Sequence, residues 1–132
     1  MRKVRVLLAD DHPGILGVIR TCLESNFDVV GCVHNGETLF DAAMKLHPDV
    51  IVSDISMPKL SGIEVAHRLL ESGCSSRIVF LTVHTDPDIV RAALEAGALA
   101  YVLKSSITTD LVFAVREALA GRKFISPEAS AE

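Results

Sequence analysis

Val4-Arg5-Val6-Leu7-Leu8-Ala9-Asp10-Asp11 is the stretch on which the fold turns. Apart from Arg5 it is a continuous apolar run, without the alternation of a strand that has one wet face, and it stops abruptly at two adjacent carboxylates. Such a run fits a strand covered on both sides, as in parallel sheets packed between helices. Four more runs of this character follow: Phe27 to Val33, Val50 to Ser53, Ile78 to Thr82 and Ala100 to Leu103. They recur at intervals of about 20 to 30 residues, which leaves room for one crossover helix in each gap.

The gaps carry helical spacing. Ile15, Ile19, Cys22 and Leu23 share one face, as do Leu39, Ala42, Ala43 and Leu46; Ile63, Ala66, Leu69 and Leu70 repeat the pattern, and so do Val90, Ala93 and Leu94. Asn35 is placed to cap the second helix, Pro87 suits an early helical position, and Gly97 and Gly121 stand where helices should end. The sequence therefore predicts an α/β domain: a flavodoxin-like, doubly wound (βα)5 fold with a five-stranded parallel sheet in the order 2-1-3-4-5. In that order strands 1, 3 and 4 lie side by side, and their carboxyl ends open on the crevice where such folds bind ligands.

Composition sets the limits. A chain of 132 residues that is 49% hydrophobic can build one sizeable core but not two. No apolar run approaches the roughly 20 residues of a membrane span, and Met1-Arg2-Lys3-Val4 leads into a strand instead of a signal peptide, so a cytoplasmic protein is expected. A formal charge of −4, from 13 basic and 17 acidic residues, argues against direct nucleic-acid binding by this segment. Cys22, Cys32 and Cys74 are widely spaced and lack a C-x-x-C pair, which fits reduced structural thiols.

What the strands deliver to the crevice carries the chemistry. Strand 1 ends in Asp10-Asp11, strand 3 in Asp54, strand 4 in Thr82 and strand 5 in Lys104. A single loop aspartate is ordinarily a turn or helix cap. Three converging carboxylates repel one another and call for a cation among them. Oxygen ligands select a hard ion, and Mg2+ is the natural one because it keeps waters that a phosphate can displace. Lys104 adds a point charge and Thr82 a hydroxyl, both suited to phosphoryl oxygens. His12, His34, His47, His67 and His84 show no paired metal-ligand spacing, although His12 adjoins the acidic pair.

The segments Leu8-Ala9-Asp10-Asp11-His12-Pro13, Ser53-Asp54-Ile55-Ser56-Met57-Pro58 with Gly62, Leu81-Thr82 and Tyr101-Val102-Leu103-Lys104 together resemble a response-regulator receiver domain of two-component signalling. The resemblance extends over nearly the whole chain. It implies that Asp54 accepts a phosphoryl group from a sensor histidine kinase. It further implies that Asp10, Asp11, Asp54 and the Ser56 backbone carbonyl hold Mg2+, and that Thr82 and Lys104 contact the phosphate. Thr82 and Tyr101 would form the conformational switch, with Tyr101 following Thr82 inward, while Ser56 and His84 would tune the phosphoryl lifetime. Ser105 follows Lys104 where many receivers have a proline, so no cis peptide is expected there.

Gly121-Arg122-Lys123-Phe124-Ile125-Ser126-Pro127, His84-Thr85-Asp86 and Ala92-Ala93-Leu94-Glu95-Ala96-Gly97 are similar to receivers of LuxR-type transcription regulators. The expected organisation is a receiver over 1–121 and a tail over 122–132 that begins a linker to a DNA-binding output domain, a stand-alone receiver being the alternative. Helical phase sets Leu111, Val112, Val115, Ala118 and Leu119 towards the core and Phe113 outward, where it could anchor a homodimer through the first and last helices, dock an output domain, or simply meet Phe124. Two rivals stand against the receiver reading. A small Mg2+-dependent aspartyl-phosphate phosphatase usually needs a second acid two residues beyond its nucleophile, and that position is Ser56. A flavin or nucleotide carrier would want a glycine-rich loop after strand 1, where Asp10-Asp11 stands instead.

Overall fold

The structure, a computed structural model, describes residues 3–130, so Met1, Arg2 and the tail residues Ala131 and Glu132 lie outside it. Strand β1 (Arg5–Ala9) is followed by α1 (Pro13–Leu23), β2 (Asp28–Val33), α2 (Gly36–Leu46), β3 (Val50–Ser53), α3 (Gly62–Glu71), β4 (Arg77–Thr82), α4 (Pro87–Glu95) and β5 (Ala100–Leu103). A 3-10 turn at Lys104–Ser106 then leads into α5 (Ile107–Leu119), β6 (Phe124–Ile125) and α6 (Pro127–Ser130). Every strand pairing is parallel, and the sheet order is β2-β1-β3-β4-β5-β6.

The unbroken apolar runs are explained by the two faces of this sheet. Successive strand residues point to opposite sides, so Val6 and Leu8 face α1 and α5, while Leu7 and Ala9 face α2, α3 and α4. On the first side Leu16, Ile19 and Leu23 of α1 and Leu111, Ala114, Val115 and Ala118 of α5 cover Val50, Val52, Val79 and Leu81. On the other, Leu39 and Ala43 of α2, Val65, Ala66 and Leu69 of α3, and Val90 and Ala93 of α4 cover Ile51, Phe80 and Tyr101. With both faces buried, the interior positions of the central strands are apolar, and polar residues such as Arg5, Arg77, Ser53 and Thr82 stand only at the strand ends.

Helix ends follow the local chemistry. Asn35 Oδ1 accepts from Thr38 N at 2.9 Å, and Ser61 Oγ accepts from Glu64 N at 3.2 Å. Gly97 (φ 104°) and Gly121 (φ 79°) reverse the chain in the left-handed region, where the following amides, Ala98 and Arg122, donate back to Ala93 and Glu117. The described residues contain no cis peptide bond. None of their helices is long and apolar enough to cross a membrane.

Three expectations need correction. The sheet has six strands and not five, because Phe124 and Ile125 pair with Ala100 and Tyr101 along the β5 edge. Two residues are too few for a periodicity to announce. Through this pairing the start of the tail packs along the sheet edge: Ser126 and Ala129 are buried, and Ser126 N donates to Tyr101 O at 2.8 Å. Leu70, assigned to the α3 core face, is 60% exposed, and Val65 takes its place inside. On α5, Ala114 is fully buried, while Val112 and Leu119 only flank the core.

Candidate functional site

At the carboxyl edge of the sheet, β1 and β3 run side by side with Ala9 opposite Ser53. The residues that follow are therefore adjacent: Asp54 N donates to Ala9 O at 2.9 Å. Strand β5 lies two strands beyond β3, paired to β4 with Thr82 opposite Leu103, and the chain leaving it projects Lys104 back across the end of the sheet. The Lys104 ammonium reaches Asp10 Oδ2 at 2.8 Å and Asp54 Oδ2 at 3.1 Å. Asp10 is fully buried and Asp54 is 5% exposed, so two carboxylates share one cation inside the protein. Burial would pull the lysine pKa down, but its contacts with Asp10 and Asp54 and their charge prevail and hold it above the usual lysine value.

The remaining carboxylate oxygens are incompletely hydrogen-bonded. Asp54 Oδ1 accepts from Ile55 N at 2.7 Å. Asp10 Oδ2 touches Lys104 as an ion pair, yet neither it nor Asp11 Oδ1 receives a hydrogen bond of good geometry, although both atoms are buried. Buried carboxylate oxygens left this way are costly unless a charge completes them. Asp10, Asp11, His12 and Asp54 each offer one ligand atom, all within 4.8 Å of one another. This donor set fits a small divalent cation. Ser56, the other expected ligand position, lies two residues beyond Asp54, with its side chain exposed and turned to His84.

Thr82, Tyr101, Ser56 and His84, expected from the resemblance to share the site's control, form one connected chain. Thr82 is fully buried, and its Oγ1 accepts from His84 N at 3.3 Å. His84 O accepts from the Tyr101 hydroxyl at 2.9 Å, while His84 Nε2 lies 2.9 Å from Ser56 Oγ. Tyr101 itself is fully buried. The inward movement expected of it is therefore not needed to bury it in this conformation. Burial, followed by the negative charges of Asp86 and Asp54, pushes its phenol up to about 12 from an ordinary 10.0.

That shift has a readable consequence. A phenol whose folded pKa exceeds its unfolded value contributes stability that is fully present below pH 10 and lost as pH rises from 10 to about 12. The difference corresponds to roughly 2 to 3 kcal/mol. Tyr101 is the only tyrosine, so the ultraviolet absorbance of its phenolate reports on it alone. The folded protein should titrate near pH 12 and the denatured protein near 10; coincident titrations would show that Tyr101 is not buried as described.

A profile described as response regulator receiver domain matches residues 6–116. The chain belongs to the response regulator receiver domain family. This receiver is 38% identical over 127 residues to the transcriptional regulatory protein YvfU of Bacillus subtilis (strain 168), covering 95% of the chain and 64% of that protein. Among solved structures it is similar to a LuxR-family two-component response regulator from Aurantimonas sp. SI85-9A1, at TM-score 0.92 and 32% identity over 97% of this chain and 93% of that one. It is also similar to the isolated receiver of RcsB from Salmonella enterica serovar Typhimurium, solved with the phosphomimetic BeF3-, at TM-score 0.88 and 33% identity over 98% and 97% of the two chains. The chain spans about three fifths of the length of the curated relatives it matches.

Two features of this receiver's site escaped the sequence reading. Ser126 is fully buried; its Oγ accepts from Leu103 N at 3.1 Å and donates to Asp110 Oδ2 at 3.0 Å, which ties the tail to the strand that carries Lys104. The dipeptide Ser126-Pro127 was a recognisable helix-start signal, but nothing in it foretold those partners. His12 was singled out only for its position, and the structure brings its ring against both acids: Nδ1 lies 3.1 Å from Asp10 Oδ1 and 3.1 Å from Asp11 Oδ1.

Proposed function

We propose that this receiver accepts a phosphoryl group on Asp54 from a phosphohistidine of a sensor histidine kinase and uses it to control an output, transcription through a DNA-binding domain that follows the tail. The observation that carries this reading is the buried Asp10–Lys104–Asp54 pairing beside Asp11. In the transfer, an Asp54 oxygen attacks phosphorus in line. The P–O bond forms as the P–N bond to the kinase imidazole breaks; the nitrogen keeps the bonding pair, and the ring, carrying a proton on its other nitrogen throughout, stays with the kinase as neutral imidazole. Lys104 is held charged and takes up negative charge on the transferred group, with Thr82 as a hydroxyl partner. Asp10, Asp11, Asp54 and the Ser56 carbonyl would hold Mg2+, which when bound supplies electrostatic stabilisation of phosphoryl oxygens. Ser56 and His84 would set how long the acyl phosphate lasts. No acid stands at position 56, which supports a receiver that holds its phosphoryl group over a phosphatase that turns over.

Incubation with Mg2+ and a small-molecule phosphoryl donor should add one acid- and base-labile phosphoryl group, seen by intact-protein mass spectrometry and absent in Asp54→Asn. Labelling that persists in Asp54→Asn, or continuous release of phosphate by the wild type, would remove Asp54 or the receiver reading respectively.

In the proposed organisation 1–121 is the receiver and 122–132 starts the linker, with 124–129 laid along the β5 edge on its way out. Self-association through α1 and α5 belongs to the same reading. Val18 is 49% exposed and Phe113 53% exposed, and Phe113 meets Phe124 edge-to-face with ring centres 5.4 Å apart. Phe113→Ala should leave phosphorylation intact and stability within about 1 kcal/mol. It should also weaken self-association of the phosphorylated domain in sedimentation. Unchanged association would leave Phe113 with its Phe124 contact alone.

A further inference from the structure

We propose that His12 is a protein ligand of the metal in this acidic site and shifts the site's preference from Mg2+ towards divalent first-row transition ions, of which Ni2+ is the probe used below. This rests on the metal reading of Asp10, Asp11 and Asp54 given above.

His12 is placed by the backbone. Its N–H donates to Asp10 Oδ1 at 2.9 Å, and its extended conformation (φ −109°, ψ 107°) sets it at the entry to α1, just before Pro13. The imidazole is not there to pack, since the side chain is 67% exposed. What it does touch is the acidic pair, with Nδ1 at 3.1 Å from one oxygen of each. Neighbouring ligands of an octahedral ion with bonds of about 2.1 Å stand about 3.0 Å apart. Both separations therefore match edges of such a polyhedron, before any ion has drawn the groups together.

The second support is the state of the acids themselves. Asp11 Oδ1 and Asp10 Oδ2 are buried without a hydrogen bond, and Asp10 is wholly enclosed. Lys104 meets Asp10 Oδ2 as an ion pair and His12 Nδ1 approaches Asp11 Oδ1, but neither contact completes these oxygens with a hydrogen bond of good geometry. Among the described residues no other group of three potential metal-ligating side chains converges. An all-oxygen site suits Mg2+, whereas an imidazole nitrogen adds affinity for Ni2+, Zn2+ or Cu2+ and little for Mg2+. The ring would bind as the neutral tautomer with its proton on Nε2, facing solvent.

Calorimetric titration of the full chain with Ni2+ and with Mg2+ separates the alternatives, using wild type, His12→Asn and Asp11→Asn. The asparagine amide keeps a hydrogen-bond donor near the place of Nδ1 but removes the ligating nitrogen. His12→Asn is expected to raise the Ni2+ dissociation constant by at least about tenfold, with little change for Mg2+. In wild type loaded with Mn2+, pulsed electron paramagnetic resonance should detect imidazole nitrogen coupled to the metal, and the coupling should vanish in His12→Asn. Asp11→Asn should weaken both ions. Equal losses of Ni2+ and Mg2+ in His12→Asn, or Ni2+ binding insensitive to His12→Asn, overturns the inference and leaves the metal reading standing. Undiminished Mg2+ binding by Asp11→Asn overturns the metal reading itself, and the inference with it.

Discussion

Gly62→Ala is expected to destabilise the domain by about 3 kcal/mol, the upper part of the range for overpacked cores, although alanine is the better helix former. Gly62 is the first residue of α3, and its N–H donates to Ile55 O at 2.7 Å, closing the loop that leaves β3. A Cβ at this position would stand 2.3 Å from the backbone oxygen of Asp54 and 3.1 Å from Ile55 Cα. These are main-chain atoms that cannot rotate away. Asp54 O is also held by the Ser53 hydroxyl at 2.7 Å, so relief would have to come from moving α3 or the Asp54 loop itself. Gly17→Ala, in α1, supplies the control. Nothing lies within 4 Å of its added Cβ, and a gain of roughly 0.5 to 1 kcal/mol follows from helix propensity alone. Chemical denaturation of the two variants should therefore give shifts of opposite sign. If Gly62→Ala is as stable as wild type and phosphorylates normally, the close approach of α3 to the Asp54 loop is wrong.

That approach marks the limit of what the sequence discloses. Runs such as Val50 to Ser53 end where the strands end, because parallel strands buried on both faces are written as uninterrupted apolar segments and the polar residue after each is the first to emerge. Asn35, Gly97 and Gly121 are likewise legible, since each acts on backbone atoms within a few residues of itself. Asp10, Asp11, Asp54, Thr82 and Lys104 could be brought together in prospect because strand order places their strand ends on one edge. Non-local details were not legible. The place of Ser126 depends on Leu103 and Asp110, 23 and 16 residues away, and the exposure of Leu70 depends on how α3 is rotated against the sheet. A 3.6-residue period identifies a face but leaves its edges uncertain by a residue either way, which is why Val65 and Ala114 were missed. The resemblance to receivers gave Gly62 a place in a motif; the reason for it, a main-chain contact under 3 Å, appears only in three dimensions.

Lys104→Met is expected to destabilise the metal-free domain by about 3 to 5 kcal/mol, the range found when one partner of a buried charge cluster is removed. Methionine preserves much of the length and apolar character of the stem, so the loss isolates the ammonium. Without it Asp10 and Asp54, fully buried and 5% exposed, face each other with no cation between them. Because the Lys104 pKa is raised in the folded state, its stabilising contribution is fully present below the unfolded value near 10.5 and fades only as pH rises past the folded one. The deficit of the variant should therefore persist across neutral and mildly alkaline pH. Two rescues discriminate electrostatics from packing. Asp54→Asn in the Lys104→Met background removes one of the two opposed charges and should recover part of the loss, a coupling of roughly 1 to 3 kcal/mol in a double-mutant cycle. Saturating Mg2+ supplies positive charge to the native state alone and should raise the variant's melting temperature more than that of the wild type. A deficit that neither Asp54→Asn nor Mg2+ reduces would mean that Lys104 matters for its methylenes, and that the carboxylates at the head of this sheet are solvated well enough to do without it.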